Sequence, residues 1–171
     1  MKTVRFGIIG CGRITQARHL PEYAANKDAK IVGLYDFVYE RAQELAEKYS
    51  CKAYATMEEL LSDAEIDAVS VCTANHTHAS VTIAALRAGK HVLCEKPMAI
   101  SAEECEEMLV EAEKAGKRLL LGHNQRLTRA HKLARDMVAN DTIGRVVTFR
   151  TTFGHGGPET WSINPGKNTW F

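Results

Sequence analysis

Short apolar runs alternate with helical patterns along most of this chain. The runs are Val4–Ile9, Ile31–Tyr35, Ala68–Cys72, His91–Cys94 and Leu119–Leu121, with a short piece at Lys52–Tyr54. Most are apolar without polar alternation, the pattern of strands covered on both faces. The segments between them place apolar residues at helical spacing. Glu40–Tyr49 carries Ala42, Leu45, Ala46 and Tyr49 on one side, and the stretch after Ser101 carries Cys105, Met108, Leu109 and Ala112. Thr56 with Glu59 and Ser101 with Glu104 read as capping boxes, and Gly89 and Gly116 stand where helix C-terminal glycines belong. Pro21 either ends the first helix or opens a short second one. Alternation of this kind to about residue 122 predicts an α/β fold built on a doubly wound parallel sheet.

The pattern changes after His123. A helix is expected with Ala130, Leu133, Ala134, Met137 and Val138 on one face. Val146–Phe153 then alternates, with Val147, Phe149, Thr151 and Phe153 on one side, as a half-buried antiparallel strand does. The aromatic tail containing Trp161 and Trp170 reads as loop, with both tryptophans packing in a second domain. A lone strand of this kind leaves an apolar face uncovered. The division expected is residues 1–123 as one domain and 124–171 as the incomplete start of a second, α+β domain.

Composition narrows the function classes. With 171 residues, 45% of them hydrophobic, a sizeable core is possible. A net charge of +1 gives no electrostatic case for nucleic acid or an anionic membrane. The five cysteines, at 11, 51, 72, 94 and 105, have no C-x-x-C spacing and read as reduced thiols of a cytoplasmic protein, with no metal site. The opening MKTVRFGIIG runs directly into a strand, and no stretch reaches the ~18 apolar residues of a membrane span.

The first candidate chemistry lies at Gly7–Thr15, GIIGCGRIT, where Gly10, Gly12 and Thr15 occupy the positions of G-x-G-x-x-G between a strand and a helix. Gly10 allows the tight turn. Gly12 lets the backbone approach a pyrophosphate, and the helix start through Arg13 and Ile14 offers N–H groups to the anion. Thr15 replaces the usual Gly or Ala and is expected to loosen helix–strand packing slightly. Asp36 ends the second strand, 26 residues after Gly10, close to where a carboxylate meets the adenosine ribose hydroxyls. A carboxylate there repels a 2′-phosphate, which favours NAD over NADP. The same Asp36 is also placed to cap the helix that follows.

Three further segments follow strand ends: Cys72-Thr73-Ala74-Asn75-His76-Thr77-His78, Cys94-Glu95-Lys96-Pro97 and Gly122-His123-Asn124-Gln125-Arg126. Together with the glycine turn and Asp36, they resemble the Gfo/Idh/MocA oxidoreductase family over residues 1 to about 150. The resemblance implies a Rossmann domain and an NAD-dependent dehydrogenase. The enzyme would move hydride between the nicotinamide and a secondary alcohol of a sugar, inositol or related polyol. It implies that Lys96 is the catalytic lysine beside the nicotinamide and the reacting hydroxyl. Glu95 would line the nicotinamide region, Thr73, Asn75 and His78 the cofactor cleft, and Asn124 its edge. The Lys-Pro bond of the family is often cis.

Ala74 stands where the family usually has Pro, so a less rigid loop is expected. The family's second domain carries a D-x-x-x-H motif that residues 1–171 do not match. The expectation is therefore a cofactor-binding polypeptide that does not turn over alone, from a protein that is a homo-oligomer at full length. A non-catalytic NAD(P)-sensing regulator on the same fold is the alternative, against which Glu95-Lys96-Pro97 speaks.

Overall fold

The computed structural model describes residues 3–154. Six strands form one sheet: β1 Val4–Ile9, β2 Ala29–Tyr35, β3 Lys52–Ala53, β4 Ala68–Val71, β5 His91–Cys94 and β6 Leu119–Leu121. Their order is β3-β2-β1-β4-β5-β6, and every neighbouring pair is parallel. The chain starts in the middle, winds out to β3, then returns beside β1 and winds the other way. This is the expected doubly wound Rossmann arrangement, with its switch point between β1 and β4, the crevice where such sheets bind ligands.

Among the described residues five α-helices join the strands, α1 Leu20–Ala25, α2 Tyr39–Tyr49, α3 Met57–Ser62, α4 His78–Arg87 and α5 Ala102–Ala115, and α6 Arg129–Ala139 follows β6. The capping signals act as read. Thr56 Oγ1 accepts the Glu59 N–H and Ser101 Oγ the Glu104 N–H. Gly116 closes α5 in the left-handed conformation that a Cβ would strain. Pro21 opens α1 rather than ending a helix. Ahead of it, Thr15–His19 forms a π-helical turn, closed by the Leu20 N–H on the Thr15 carbonyl.

The sheet is buried on both faces, which is why its strands are apolar without alternation. On one face Ile8 packs with Leu20, Leu34, Ala42 and Leu45 from the side of α1 and α2. On the other, Ile9 packs with Leu60, Val69, Leu86 and Met108 from the side of α3, α4 and α5. Between Phe6 and Gly7 the β1–β2 register shifts by one residue, leaving Val32 unpaired. The shift turns Ile31 and Leu34 to one face and Val32 to the other.

Beyond β6 one expectation fails. The helix predicted after His123 is present as α6, but Val146–Phe153 forms no strand. Val147, Phe149 and Phe153 are 83, 81 and 74% exposed. Alternation alone cannot make a strand: its backbone groups need a neighbouring strand, and among the described residues none lies beside it. Leu133 and Val138 of α6 are likewise exposed. Trp161 and Trp170 lie outside the described residues.

Candidate functional site

The parallel sheet brings the candidate residues to one edge, because the carboxyl ends of all strands point the same way. Gly10 follows β1, Asp36 β2, Thr73 and Asn75 β4, Glu95 and Lys96 β5, and Asn124 β6. Backbone bonds lock the loop starts together. The N–H groups of Gly10, Cys72, Glu95 and Gly122 donate to Tyr35, Ile9, Val71 and Cys94.

The glycine turn has two different needs for glycine. Gly10 has φ +97°, and a Cβ there would come within 2.5 Å of the Cys72 carbonyl oxygen. Its glycine serves the fold. Around Gly12 nothing lies within 4 Å of where a Cβ would point. Its glycine leaves an open cradle in the turn after β1, of the kind a diphosphate can fill. The Gln16 N–H donates to the Gly12 carbonyl at 3.1 Å, so the helical segment starts directly on the turn. Arg13 is exposed and Ile14 half-buried against the α1–α2 core. Thr15 does not loosen the packing as expected: it is fully buried, and its hydroxyl donates to the Gly10 carbonyl at 2.6 Å.

Asp36 is buried and tied to the turn. Its Oδ2 accepts the Cys11 N–H at 2.7 Å, and its Oδ1 accepts the Val38 N–H at 2.8 Å and Arg41 Nη1 at 3.1 Å. These bonds use three of the roughly four acceptor positions of a carboxylate. Asp36 thus organises the entry to α2, as its capping reading anticipated, although the N-cap residue is Val38. The Cys11 thiol is pushed up to about 12 by burial, with the Asp36 charge adding to it, so it stays a neutral packing group.

The β4 loop is held by side chains. Thr77 Oγ1 bonds Thr73 Oγ1 and the Ala74 carbonyl, both at 2.8 Å. Ala74 itself sits at φ −69°, ψ 148°, the region Pro would impose, so the loop keeps that course without Pro. His78 is 1% exposed, with Nδ1 2.6 Å from the Pro97 carbonyl and Nε2 3.1 Å from the Thr73 carbonyl. Both ring nitrogens are engaged, so His78 ties the β4 loop to the Lys96–Pro97 loop and offers no polar atom to the cleft. Asn75 is half-buried, and Asn124 is exposed at the start of a short 3₁₀ turn.

The Lys96–Pro97 peptide is cis and the Lys96 side chain is exposed. Glu95 is not: its carboxylate is 13% exposed and meets His19 Nε2 at 2.9 Å. Burial alone would push this carboxyl up. The His19 hydrogen bond and charge, with the Lys96 N–H, hold it below the usual range instead. Sequence reasoning missed His19 and Tyr23, and gave Gly122 no role of its own. His19 and Glu95 lie 76 residues apart, and no local pattern links them.

Among the described residues no group of three or more His, Cys, Asp or Glu is placed to hold a metal ion. No described helix is long and apolar enough to cross a membrane.

Comparison with known proteins agrees with this geometry. The family described as an oxidoreductase family with an NAD-binding Rossmann fold matches residues 4–123. The chain is 37% identical over 150 residues to a myo-inositol 2-dehydrogenase of Thermotoga maritima, covering 87% of this chain and 45% of that protein. It is 38% identical over 147 residues to a 1,5-anhydro-D-fructose reductase of Ensifer adhaerens, covering 85% and 44%. A solved 3-ketoreductase from Actinomadura kijaniata in complex with NADP superposes with a TM-score of 0.77 at 29% identity, covering 84% of this chain and 46% of that one. The chain spans less than half the length of these relatives. Because the family match runs from the first residue of β1 to beyond the end of β6, the chain belongs to the Gfo/Idh/MocA oxidoreductase family.

Proposed function

We propose that this chain is the dinucleotide-binding half of an NAD-dependent dehydrogenase acting on a secondary alcohol of a sugar, inositol or related polyol. The observation that carries the reading is the open space at Gly12, on a turn tied to Asp36 through Cys11, with the exposed Lys96 in a loop at the same edge of the sheet. The relatives act, by their names, on an inositol and on an anhydro-sugar, which supports a polyhydroxylated substrate class. In this reading residues 1–123 form the cofactor domain, and 124–171 begin a substrate and oligomerisation domain. The five free thiols fit a reducing, cytoplasmic setting.

When bound, the nicotinamide supplies the hydride acceptor for the alcohol carbon. The chain's own residues supply the rest. Main-chain N–H groups from Gly12 through Arg13 and Ile14 would hold the diphosphate, favoured by the positive end of the helix dipole. Asp36 presents its remaining acceptor position to a ribose hydroxyl, and its charge disfavours a 2′-phosphate, so NAD is preferred to NADP. Thr73, Asn75 and Asn124 line the cleft along the sheet edge, while Glu95 and His78 shape it from behind. The Lys96 ammonium, exposed after β5, would donate to the substrate hydroxyl oxygen and favour the developing alkoxide.

Side-by-side titrations with NADH and NADPH test this. Tighter binding of NADH supports the reading, and a chain that binds neither dinucleotide overturns it. Assays of inositols and aldoses with NAD then test the substrate class.

A further inference from the structure

The Glu95 carboxylate is held from three directions. Oε1 meets His19 Nε2 at 2.9 Å, and Oε2 accepts the Lys96 N–H at 3.2 Å. Gly122 closes over it, so that a Cβ there would lie 3.1 Å from the carboxylate carbon and both oxygens. His19 is itself 8% exposed and set edge-on to the Tyr23 ring, with centroids 5.9 Å apart at 79°. Tyr23 stacks on Phe6 of β1 at 4.3 Å, and its hydroxyl is 2.6 Å from Ser70 Oγ of β4. Burial pushes the Tyr23 phenol up to about 12, so it stays neutral. The chain Ser70–Tyr23–His19–Glu95–Lys96 therefore runs from the sheet, through the helical segment behind the glycine turn, to the loop that carries the exposed lysine.

A nearly buried carboxylate needs such partners. Left without His19, it would be a desolvated charge keeping only the Lys96 N–H of these two bonds, a costly arrangement. We propose that His19 and Glu95 are a positioning pair: by fixing the Lys96 backbone to the segment behind the dinucleotide turn, they set where Lys96 and the nicotinamide half of the cofactor meet. The inference rests on the cofactor reading above. It goes beyond it in assigning this task to His19, a buried residue whose ring meets Glu95 and Tyr23.

The test compares NADH with ADP-ribose, which lacks the nicotinamide, by calorimetry on three variants. In His19→Gln the amide Nε2 keeps a donor at about the reach of the imidazole. His19→Asn keeps polarity but falls short, and His19→Leu fills the space without a donor. Expected is a loss of about tenfold in NADH affinity for His19→Leu and His19→Asn, with ADP-ribose changed less than about threefold and His19→Gln near the parent for both. If His19→Leu does not fold, His19→Asn carries the comparison. Amide exchange at Lys96 gives a second reading, faster in His19→Asn and restored in His19→Gln while the strands keep their protection. Equal weakening of both ligands would mean that His19 merely shapes the glycine turn, and would overturn the proposal. So would unchanged NADH binding in every variant, or His19→Asn behaving like His19→Gln. A parent chain that binds ADP-ribose but not NADH overturns the pair's task alone; one that binds neither ligand overturns the cofactor reading and the pair with it.

Discussion

Asp36 accepts the N–H of Cys11 across 2.7 Å, so the acid that ends β2 and the turn that follows β1 form one unit. The turn would otherwise leave that N–H unsatisfied inside the protein, and Asp36 would be a buried charge held only by Val38 and Arg41. A residue read as a cofactor ligand is thus also a fold residue. Its substitution will be felt in both properties, which have to be measured apart.

Asp36→Ser separates them. A serine hydroxyl is shorter, and it releases Arg41, which now donates to Asp36 Oδ1 at 3.1 Å. A guanidinium freed at this place suits a phosphate, which it can bind with two parallel hydrogen bonds. The expected outcome is a swing of about tenfold or more in the NADPH-to-NADH affinity ratio, with a stability loss of roughly 1–2 kcal/mol from the lost charge-assisted bonds. Titrations with both cofactors read the first and a urea melt the second. An unchanged ratio would show that Asp36 does not face the ribose.

The two glycines of the turn should fail in opposite ways. Gly10→Ala forces a Cβ against the Cys72 carbonyl, at a φ that side chains rarely adopt, and should destabilise the fold by roughly 2–4 kcal/mol. The Cβ of Gly12→Val meets nothing within 4 Å, so its stability should stay within about 1 kcal/mol of the parent. Its isopropyl group would fill the cradle, and dinucleotide affinity should fall by about a hundredfold or more. Thermal melts and NADH titrations of the pair check this. Normal binding by Gly12→Val would remove the cradle from the proposal.

Most of the site was legible because it lies in local pattern. Gly10, Asp36 and Lys96 each follow a strand that any parallel sheet must bury on both faces, and parallel strands carry their loop ends to a common edge. What stayed hidden depends on distant partners. Nothing near His19 in sequence announces Glu95, and Thr15 looked like a packing defect until its hydroxyl met the Gly10 carbonyl. His78 was read as lining the cleft, yet its two ring nitrogens turn to the Thr73 and Pro97 carbonyls. Val146–Phe153 had the right alternation but no neighbour to pair with among the described residues. A period of two tells which side of a strand is apolar and is silent on whether another strand lies beside it.

Acid stability should depend on Asp63. The Tyr54 hydroxyl, the Glu65 N–H and Lys52 hold its carboxyl well below the usual carboxylate range, the tyrosine hydrogen bond contributing most. A depressed folded value stabilises the fold above the unfolded pKa of about 4 and loses that contribution as pH falls toward the folded one. Lys52 is 54% exposed, so its share is small after solvent screening. Tyr54→Phe keeps the ring but removes the hydroxyl. It should be less stable than the parent by about 1–2 kcal/mol at pH 7, with the gap narrowing as pH is lowered from about 4 toward 2. Urea melts across that range read it, and a gap independent of pH would assign the tyrosine a packing role only.

Gly122 offers an independent probe of the Glu95 carboxylate. A methyl group at this position would sit 3.1 Å from both oxygens, tighter than ordinary contact, and a carboxylate already bound to His19 and the Lys96 N–H has little freedom to retreat. Gly122→Ala should therefore break or lengthen the His19 contact, at roughly 1–2 kcal/mol of stability. His19→Asn removes the same contact from the other side. Combined, the two substitutions should cost less than their sum by at least about 0.5 kcal/mol, because the second finds the bond already lost. Thermal or urea melts of the single and double variants supply the cycle. Additivity within about 0.3 kcal/mol would mean that Gly122 and His19 act on different parts of the molecule.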